Sequence, residues 1–447
     1  DLEDDLTGQL DRIRRRFRLN RAIGVMVQSA ETGETLYTHN SSTAFVPASG
    51  MKLVTMAAAL HYLGSHHRFE TRLLVDGPIE SGVLRANLYL KGTGDPTLGG
   101  ADLDQITSAL AHAGIREIDG NLILDDSFFD DRAHGASYNK ERLRRGLPIQ
   151  SALCYNANVV ELRARPAEKS GARALLFDGG YGYFKVINRV KTASRGRPWL
   201  RIRKRRNNRV VVSGRVIAGG EERIGRVAAT DPPAYLASAF VGKLGEGGIA
   251  FHGRVERRQA ESSRLRTLYV HRSARLIQIL ELLGKESSNF AAEQILKALG
   301  AHRWGEPGSF DAGARALDEY LLGLGLSKDE FRIKDGSGLS YDNRLSPAVL
   351  ARVLEELFHT PEVRTEFLCS LAVGGVDGTL RRRFRNERHM GRILAKTGSL
   401  SGTSSLSGFA FSPRRGLVLF SIIMNGIRRQ WRADQIEDEI ARTLLGT

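Results

Sequence analysis

Cysteine is nearly absent: Cys154 and Cys369 are the two in 447 residues. That is too few for a disulfide scaffold, and no C-x-x-C pair suggests a metal or redox site. A single bridge stays open, although no local spacing points to it. The eleven histidines include no H-E-x-x-H pair, so no metal is expected, and no cofactor motif is found. Aromatic residues make up 7% of the chain. With the arginines dispersed and no helix-turn-helix, zinc-finger or RNP-type signature, a nucleic-acid partner is not expected. Long apolar runs are missing too. Stretches such as Leu417 to Met424 are too short to cross a bilayer. Lys91-Gly92-Thr93-Gly94-Asp95-Pro96-Thr97 is glycine-rich but lacks the G-K-[ST] end of a phosphate loop, so it reads as a structural turn. The chain begins at Asp1 with no leader in view, so export is not legible here. There is no internal repeat and no low-complexity linker.

What is present is globular and basic. The chain is 41% hydrophobic and 26% charged, an ordinary soluble balance, and its length suits about three domains. The net charge of +16 implies long-range attraction to a polyanion or an anionic surface and says nothing about fold. Two arginine concentrations stand out. Residues 1–18 predict a helix with Leu6, Leu10, Ile13 and Phe17 on one face and Arg12 to Arg18 on its solvated side. Arg201 to Arg209 reads as a solvated hairpin, with a polyanion-facing patch as the alternative. Ala22 to Ala30 and Glu34 to His39 predict strands around Glu31-Thr32-Gly33. The texture is β from 167 to 226. A helix starts after Asp231, with an Asp cap and Pro in the first turn. Ala274 to Leu283 predicts a buried helix with Gly284 as its C-cap. Further helices are expected over 290–299, 310–324 and 347–358. Three strands are expected over 393–397, 403–411 and 416–424, followed by a closing helix from Ala433 to Leu445.

Ser49 and Lys52 lie three residues apart in Pro47-Ala48-Ser49-Gly50-Met51-Lys52. A helix beginning near Ser49 stacks the two side chains on one face. Leu53, Met56, Ala57 and Leu60 then form an apolar stripe, so the lysine enters a buried setting. A serine hydroxyl is a poor nucleophile until a base takes its proton. A lysine becomes that base when burial lowers its pKa. Taken alone, the pair also fits a capping serine and a solvated lysine. Ser287-Ser288-Asn289 falls between two buried helices, where a hydroxyl and an amide can relay a proton and bind a carbonyl; helix capping is the plainer use. Lys396-Thr397-Gly398-Ser399 ends a strand. There an edge can pair with an extended peptide, the lysine can hold a carboxylate, and glycine permits close approach. In this chain order, S-x-x-K, S-x-N and K-T-G form the set of the active-serine penicillin-recognising enzymes.

From Ser49 to Ser287 the chain runs about 240 residues, far more than a compact β-lactamase-like fold needs. The sequence resembles the D-alanyl-D-alanine carboxypeptidase/endopeptidase family of low-molecular-mass class C penicillin-binding proteins, peptidase family S13, in which an extra domain separates the first two motifs. Beyond the triads, the likeness is carried by Gly92 to Pro96, Asp125-Asp126-Ser127-Phe128-Phe129, Ser151-Ala152-Leu153 with Asn156 and Asn158, Asp335-Gly336-Ser337-Gly338-Leu339-Ser340, and Gly375 to Leu380. It covers essentially the whole chain.

The resemblance implies an α+β fold: a β-lactamase/transpeptidase-like serine DD-peptidase domain, helices packed on an antiparallel sheet, over 1–64 and 262–447. An inserted mixed domain over 65–166 and 227–261 interrupts it and carries a smaller β-rich subdomain over 167–226. By the same resemblance Ser49 is the acylated nucleophile, Lys52 its base, and Ser287 and Asn289 the second wall. Lys396 and Thr397 hold the substrate carboxylate on the Gly398–Ser399 strand edge, and the N–H groups of Ser49 and Ser399 form the oxyanion hole. The implied activity is hydrolysis of D-Ala-D-Ala and of D-Ala-meso-diaminopimelate cross-links in peptidoglycan stem peptides, with β-lactams as inhibitors. The implied location is the periplasm, with an anionic wall or membrane surface as a further partner. A β-lactamase or esterase, and a vestigial wall-binding protein, are the competing readings. Relatives commonly carry arginine directly after the D-G-S-G-L-S run. Tyr341 stands there instead, which puts the family's preference for the third stem-peptide residue in doubt for this chain.

Overall fold

The computed structural model describes residues 2–135, 147–260 and 265–446. They form two units. Residues up to Arg68 and from Ala274 onwards, with Gly135, make the first; the other described residues from Phe69 to Ser273 make the second. The two divisions thus fall at Arg68/Phe69 and Ser273/Ala274.

The first unit is built on a six-stranded antiparallel sheet. Its strands are β1 (Ile23–Ser29), β2 (Thr35–His39), β3 (Ala372–Val373), β4 (Ile393–Leu400), β5 (Thr403–Ser412) and β6 (Gly416–Asn425). They lie in the order β2-β1-β6-β5-β4-β3. The first strand pairs with the last, Ile23 opposite Met424 and Ser29 opposite Val418. Helices cover both faces. α1 (Leu2–Phe17) and α6 (Gln430–Leu445) share a core with the sheet, in which Leu6, Leu10 and Ile13 meet Ile436, Ile440 and Leu444. On the other side are α2 (Met51–Leu63), α3 (Asn289–Trp304), α4 (Phe310–Gly323) and α5 (Pro347–His359). There α5 packs on β1 and β6, and α2 packs on α3 and α5. With both faces covered, β5 and β6 are buried at almost every position and the period-two alternation of a half-exposed strand is lost.

Two local expectations need correction. Ala274 to Leu283 is not one helix but two single turns, Leu276–Ile279 and Glu281–Gly284. Gly284 closes the second turn rather than capping it. A Cβ there would lie 2.1 Å from the Ser370 carbonyl oxygen, so close backbone passage is what requires glycine. A helix at Pro361–Ser370, starting two residues after α5, was not expected; few of its residues are buried, among them Val363 and Phe367.

The second unit has a five-stranded mixed sheet in the order Val255–Arg257, Leu122–Asp125, Leu88–Gly92, Glu70–Val75, Arg266–Arg272. The helix at Pro232–Glu246 starts as expected, the Asp231 side chain accepting from the Ala234 N–H at 3.1 Å. Its β-rich part holds two three-stranded sheets. In one, Trp199–Arg205 and Arg209–Ile217 form a hairpin with Arg205 opposite Arg209. Asn207 and Asn208 turn it at positive φ, which asparagine tolerates. Arg201, Arg203, Lys204, Arg205 and Arg206 are exposed, while Val210, Val212 and Val216 enter the core. Both cysteines are free. Among the described residues no helix is long and apolar enough to cross a membrane.

Candidate active site

Met51 to Leu60 of α2 is buried throughout, and Lys52 is the one charged residue in that stretch. The expected helix start at Ser49 is in detail a 3-10 turn over Ala48–Gly50 that runs into α2. Ala48 is left-handed at φ +48, and Ser49 follows it, half-buried. Lys52 Nζ lies 2.9 Å from Ser49 Oγ, 2.7 Å from Asn289 Oδ1 and 2.6 Å from the Ser337 carbonyl oxygen. Burial brings Lys52 down to about 7, against the pull of the Asp335 and Glu293 carboxylates. Two of its three neighbours are acceptors only. A neutral amine satisfies both with its two N–H groups, which leaves the nitrogen lone pair for the Ser49 hydroxyl proton.

The Ser337 carbonyl is held by residues outside the three motifs. Asp335 accepts from the N–H groups of Gly338 and Ser340, both at 2.7 Å, and from Asn343 Nδ2 at 2.8 Å. Glu293 Oε1 accepts from the Ser337 N–H at 2.8 Å, and Thr55 Oγ1 donates to the Gly336 carbonyl at 2.7 Å. Burial pushes the Asp335 carboxyl up, while hydrogen bonds from Asn343, Gly338 and Ser340 hold it back. Gly338 has φ +84, and a Cβ on it would sit 1.8 Å from the Ala48 carbonyl oxygen. The D-G-S-G-L-S loop is therefore pressed against the turn that carries Ser49. The acid and two glycines of that run were its visible signal; the partners across the fold were not.

Ser287-Ser288-Asn289 divides its work. Ser288 caps α3, its Oγ accepting from the Ala291 N–H at 3.2 Å. Ser287, left-handed at φ +58, turns aside to accept from Lys396 Nζ at 2.9 Å. Asn289 points to Lys52. Lys396 is fully buried and also donates to the Thr397 carbonyl at 2.6 Å. Burial, then the neighbouring Lys52 charge, holds it well below the usual lysine range.

Along β4, Ile393–Leu400 pairs with β5 over its whole length, but β3 covers only Leu394 and Ala395 on the other edge. From Lys396 onwards that edge carries no strand among the described residues, so it can receive an extended peptide. Thr397 Oγ1 meets Thr379 Oγ1 at 2.8 Å. A Cβ on Gly398 would lie 2.2 Å from Ser405 Oγ, 2.9 Å from the Pro47 carbonyl oxygen and 3.0 Å from the Gly50 nitrogen, so glycine brings β4 against the nucleophile turn. Ser399 Oγ donates to Gln430 Oε1 at 2.7 Å. Tyr341 is exposed and its hydroxyl donates to the Ser401 carbonyl at 3.2 Å. The three motifs thus meet in one unit: Ser49, Lys52 and Asn289 in one hydrogen-bonded set, Ser287, Lys396 and Thr397 in another, with Gly398 beside Ser49. Among the described residues, one group has metal-ligand spacing: Glu117, Asp119 and His252 of the second unit, with ligand atoms within 4.8 Å and two of the three residues exposed.

Comparison with known proteins agrees with this geometry. The model of the D-Ala-D-Ala carboxypeptidase 3 (S13) family matches residues 6–445. A D-alanyl-D-alanine carboxypeptidase of Actinomadura sp. (strain R39) is 32% identical over 421 residues, covering 90% of this chain and 77% of that protein. The crystal structure of penicillin binding protein 4 from Haemophilus influenzae superposes with a TM-score of 0.81 at 26% identity, covering 98% of this chain and 99% of that one. The same protein in complex with a β-lactam gives a TM-score of 0.76 at 26% identity, over 97% and 98%.

Proposed function

From the premise that this chain belongs to the D-Ala-D-Ala carboxypeptidase 3 (S13) family, we propose how the Ser49 site does its chemistry. The chain is a serine-type DD-peptidase with the α+β fold of the penicillin-binding proteins. Neutral Lys52 takes the hydroxyl proton as Ser49 Oγ attacks the carbonyl of the penultimate D-Ala. The oxyanion is met by the N–H groups of Ser49 and Ser399, donors fixed before the charge develops. As the C–N bond breaks, the Ser287 hydroxyl, hydrogen-bonded to Lys396, gives its proton to the departing amine and receives in its place the proton that Lys52 took from Ser49, so that Lys52 is neutral again. That amine belongs to the terminal D-Ala in carboxypeptidation and to the side chain of meso-diaminopimelate in cross-link cleavage. Water, deprotonated by Lys52, then attacks the acyl-serine ester; the ester C–O bond breaks, Lys52 returns that proton to Ser49 Oγ, and the shortened peptide leaves. Lys396 and Thr397 hold the free carboxylate, and the stem peptide lies along the open edge of β4.

The observation that carries this reading is the environment of Lys52: buried, brought near neutrality, with two acceptor-only neighbours and Ser49 as the third. A β-lactam presents the same kind of amide, so penicillin acylates Ser49. Intact-protein mass spectrometry is expected to show one penicilloyl adduct that is absent in Ser49→Ala; no adduct, or one mapped elsewhere, overturns the reading. We further read 65–166 with 227–261 as an inserted domain bearing the β-rich subdomain 167–226. The site of action is the periplasm, with the exposed Arg201–Arg209 hairpin and Arg12–Arg18 meeting an anionic wall or membrane surface.

A further inference from the structure

Behind the open edge of β4 lies a hydrogen-bonded path that the chemistry above does not use. Gln430 is the first residue of α6, and its side-chain amide has three partners. Its oxygen accepts from Ser399 Oγ, and its nitrogen donates to Ser404 Oγ at 3.0 Å and to Asp434 Oδ1 at 2.9 Å. Ser404 stands directly opposite Ser399 across the β4–β5 pair and donates to Glu437 Oε1 at 2.6 Å. Glu437 is 1% exposed. Its other oxygen, Oε2, accepts from Arg383 Nη1 at 3.0 Å, and Arg383 Nε donates in turn to Asp438 Oδ1 at 2.7 Å. Arg383 belongs to the segment that begins with the 3-10 turn Gly378–Leu380, and that turn presents Thr379 to Thr397. One carboxylate therefore ties together two segments that meet at the substrate edge: β4 through Ser404, Gln430 and Ser399, and the Thr379 turn through Arg383.

A buried carboxylate is costly unless paired and hydrogen-bonded on its remaining lone pairs. Burial pushes Glu437 up to about 7, and the Arg383 guanidinium is the largest influence in the other direction. Packing alone does not call for such a group, since an apolar side chain fills the same space without the cost. What a two-sided acceptor supplies is a fixed distance between its two donors.

We infer that Glu437, with Gln430, is a positioning residue for the carboxylate-binding part of the β4 edge, setting β4 at Thr397–Ser399 against the Thr379 turn. The inference rests on the reading of Lys396 and Thr397 as the pair that holds the substrate carboxylate. Loosening the path should therefore weaken substrates that carry a free terminal carboxylate more than matched substrates whose carboxylate is masked as an amide.

The test measures acylation of wild type, Gln430→Ala, Glu437→Gln and the double variant, with a D-Ala-D-Ala peptide thioester analogue and its C-terminal amide. Glu437→Gln keeps the shape and the acceptor for Ser404 but turns an amide N–H₂ toward Arg383. Gln430→Ala sits at the half-buried rim and leaves the core intact. Each single variant is expected to raise KM for the carboxylate substrate by roughly tenfold, with kcat and the amide substrate changing less than about twofold. The double variant should be no worse than the weaker single, because both lie on one path. Arg383→Lys, which keeps a cation beside Glu437, should recover part of the loss that Arg383→Ala causes. Equal losses on both substrates, or multiplicative losses in the double variant, would reduce the path to a stabilising role and overturn the inference. Loss of penicillin acylation in the wild type would instead overturn the reading it rests on.

Discussion

Lys52 makes the sharpest demand on solution behaviour. Its ordinary value of 10.5 is brought to about 7 by burial. If the neutral amine is the base, the acylation rate should follow the fraction of neutral Lys52. It should rise with pH through about 7 and level off above it. At pH 6 about one-tenth of the molecules carry the base form and at pH 5 about one-hundredth, so acylation should fall by those factors. Stability gives a second readout of the same shift, with a definite sign. Between 7 and 10.5 the unfolded chain binds a proton at this lysine and the folded chain does not, so this group makes stability rise with pH across that window. The full depression corresponds to on the order of 5 kcal/mol, present as a cost below pH 7 and relieved above 10.5. Lys52→Met removes that cost while leaving Asn289 Oδ1 and the Ser337 carbonyl without their donor. It should unfold no more easily than wild type at pH 7, while losing acylation by at least about a hundredfold. Stopped-flow acylation with a chromogenic β-lactam between pH 5 and 9, with thermal melts of both proteins, decides the matter. A rate that is flat from pH 5 to 8, a limb near 10, or a Lys52→Met variant that still acylates within about tenfold of wild type refutes the reasoning.

Other outcomes follow from neighbouring contacts. Lys396→Ala should weaken a carboxylate-bearing substrate far more than an ester analogue, whereas Lys52→Ala abolishes acylation with both; parallel rate measurements separate them. Because Lys396 is held below its usual range in the free protein, binding a carboxylate should return a proton to it, seen as buffer-dependent heat in titration calorimetry. Asp335→Ala leaves the buried Gly338 and Ser340 N–H groups without their acceptor, at about 1–3 kcal/mol each, and should lower both the melting temperature and the acylation rate. Changing Arg203, Arg205 and Arg206 to Gln should reduce co-sedimentation with purified sacculi at low salt, where exposed charges act over about 30 Å at roughly 0.01 M against roughly 8 Å at physiological salt, without changing hydrolysis of a small peptide.

The sequence carried the chemistry further than it carried the architecture. S-x-x-K, S-x-N and K-T-G were legible because spacing along a helix or a strand end is local; that Lys52 meets Asn289 and Ser287 meets Lys396 is non-local, and no spacing shows it. The pairing of β1 with β6 is non-local, and nothing in Ile23–Ser29 names Val418–Met424 as its partner. The short turns at Leu276–Gly284 were hidden inside an apolar stretch that reads equally well as one helix. Glu293 was invisible in role because its partner, the Ser337 N–H, lies far along the chain; Asp335 and Asn343 bond within their own loop, but a residue pattern cannot show a backbone hydrogen bond. The same holds for Glu437: nothing in the closing helix names Ser404 and Arg383 as its partners.

The most direct test of the central claim is release of D-alanine. Purified protein is incubated with a pentapeptide muropeptide and with a cross-linked dimer, and the products are separated by chromatography and weighed by mass spectrometry. The account predicts a tetrapeptide and one free D-alanine from the first and monomers from the second, with wild type and with neither Ser49→Ala nor Lys52→Ala. No D-alanine released by the wild type, or release that survives Ser49→Ala, would contradict it.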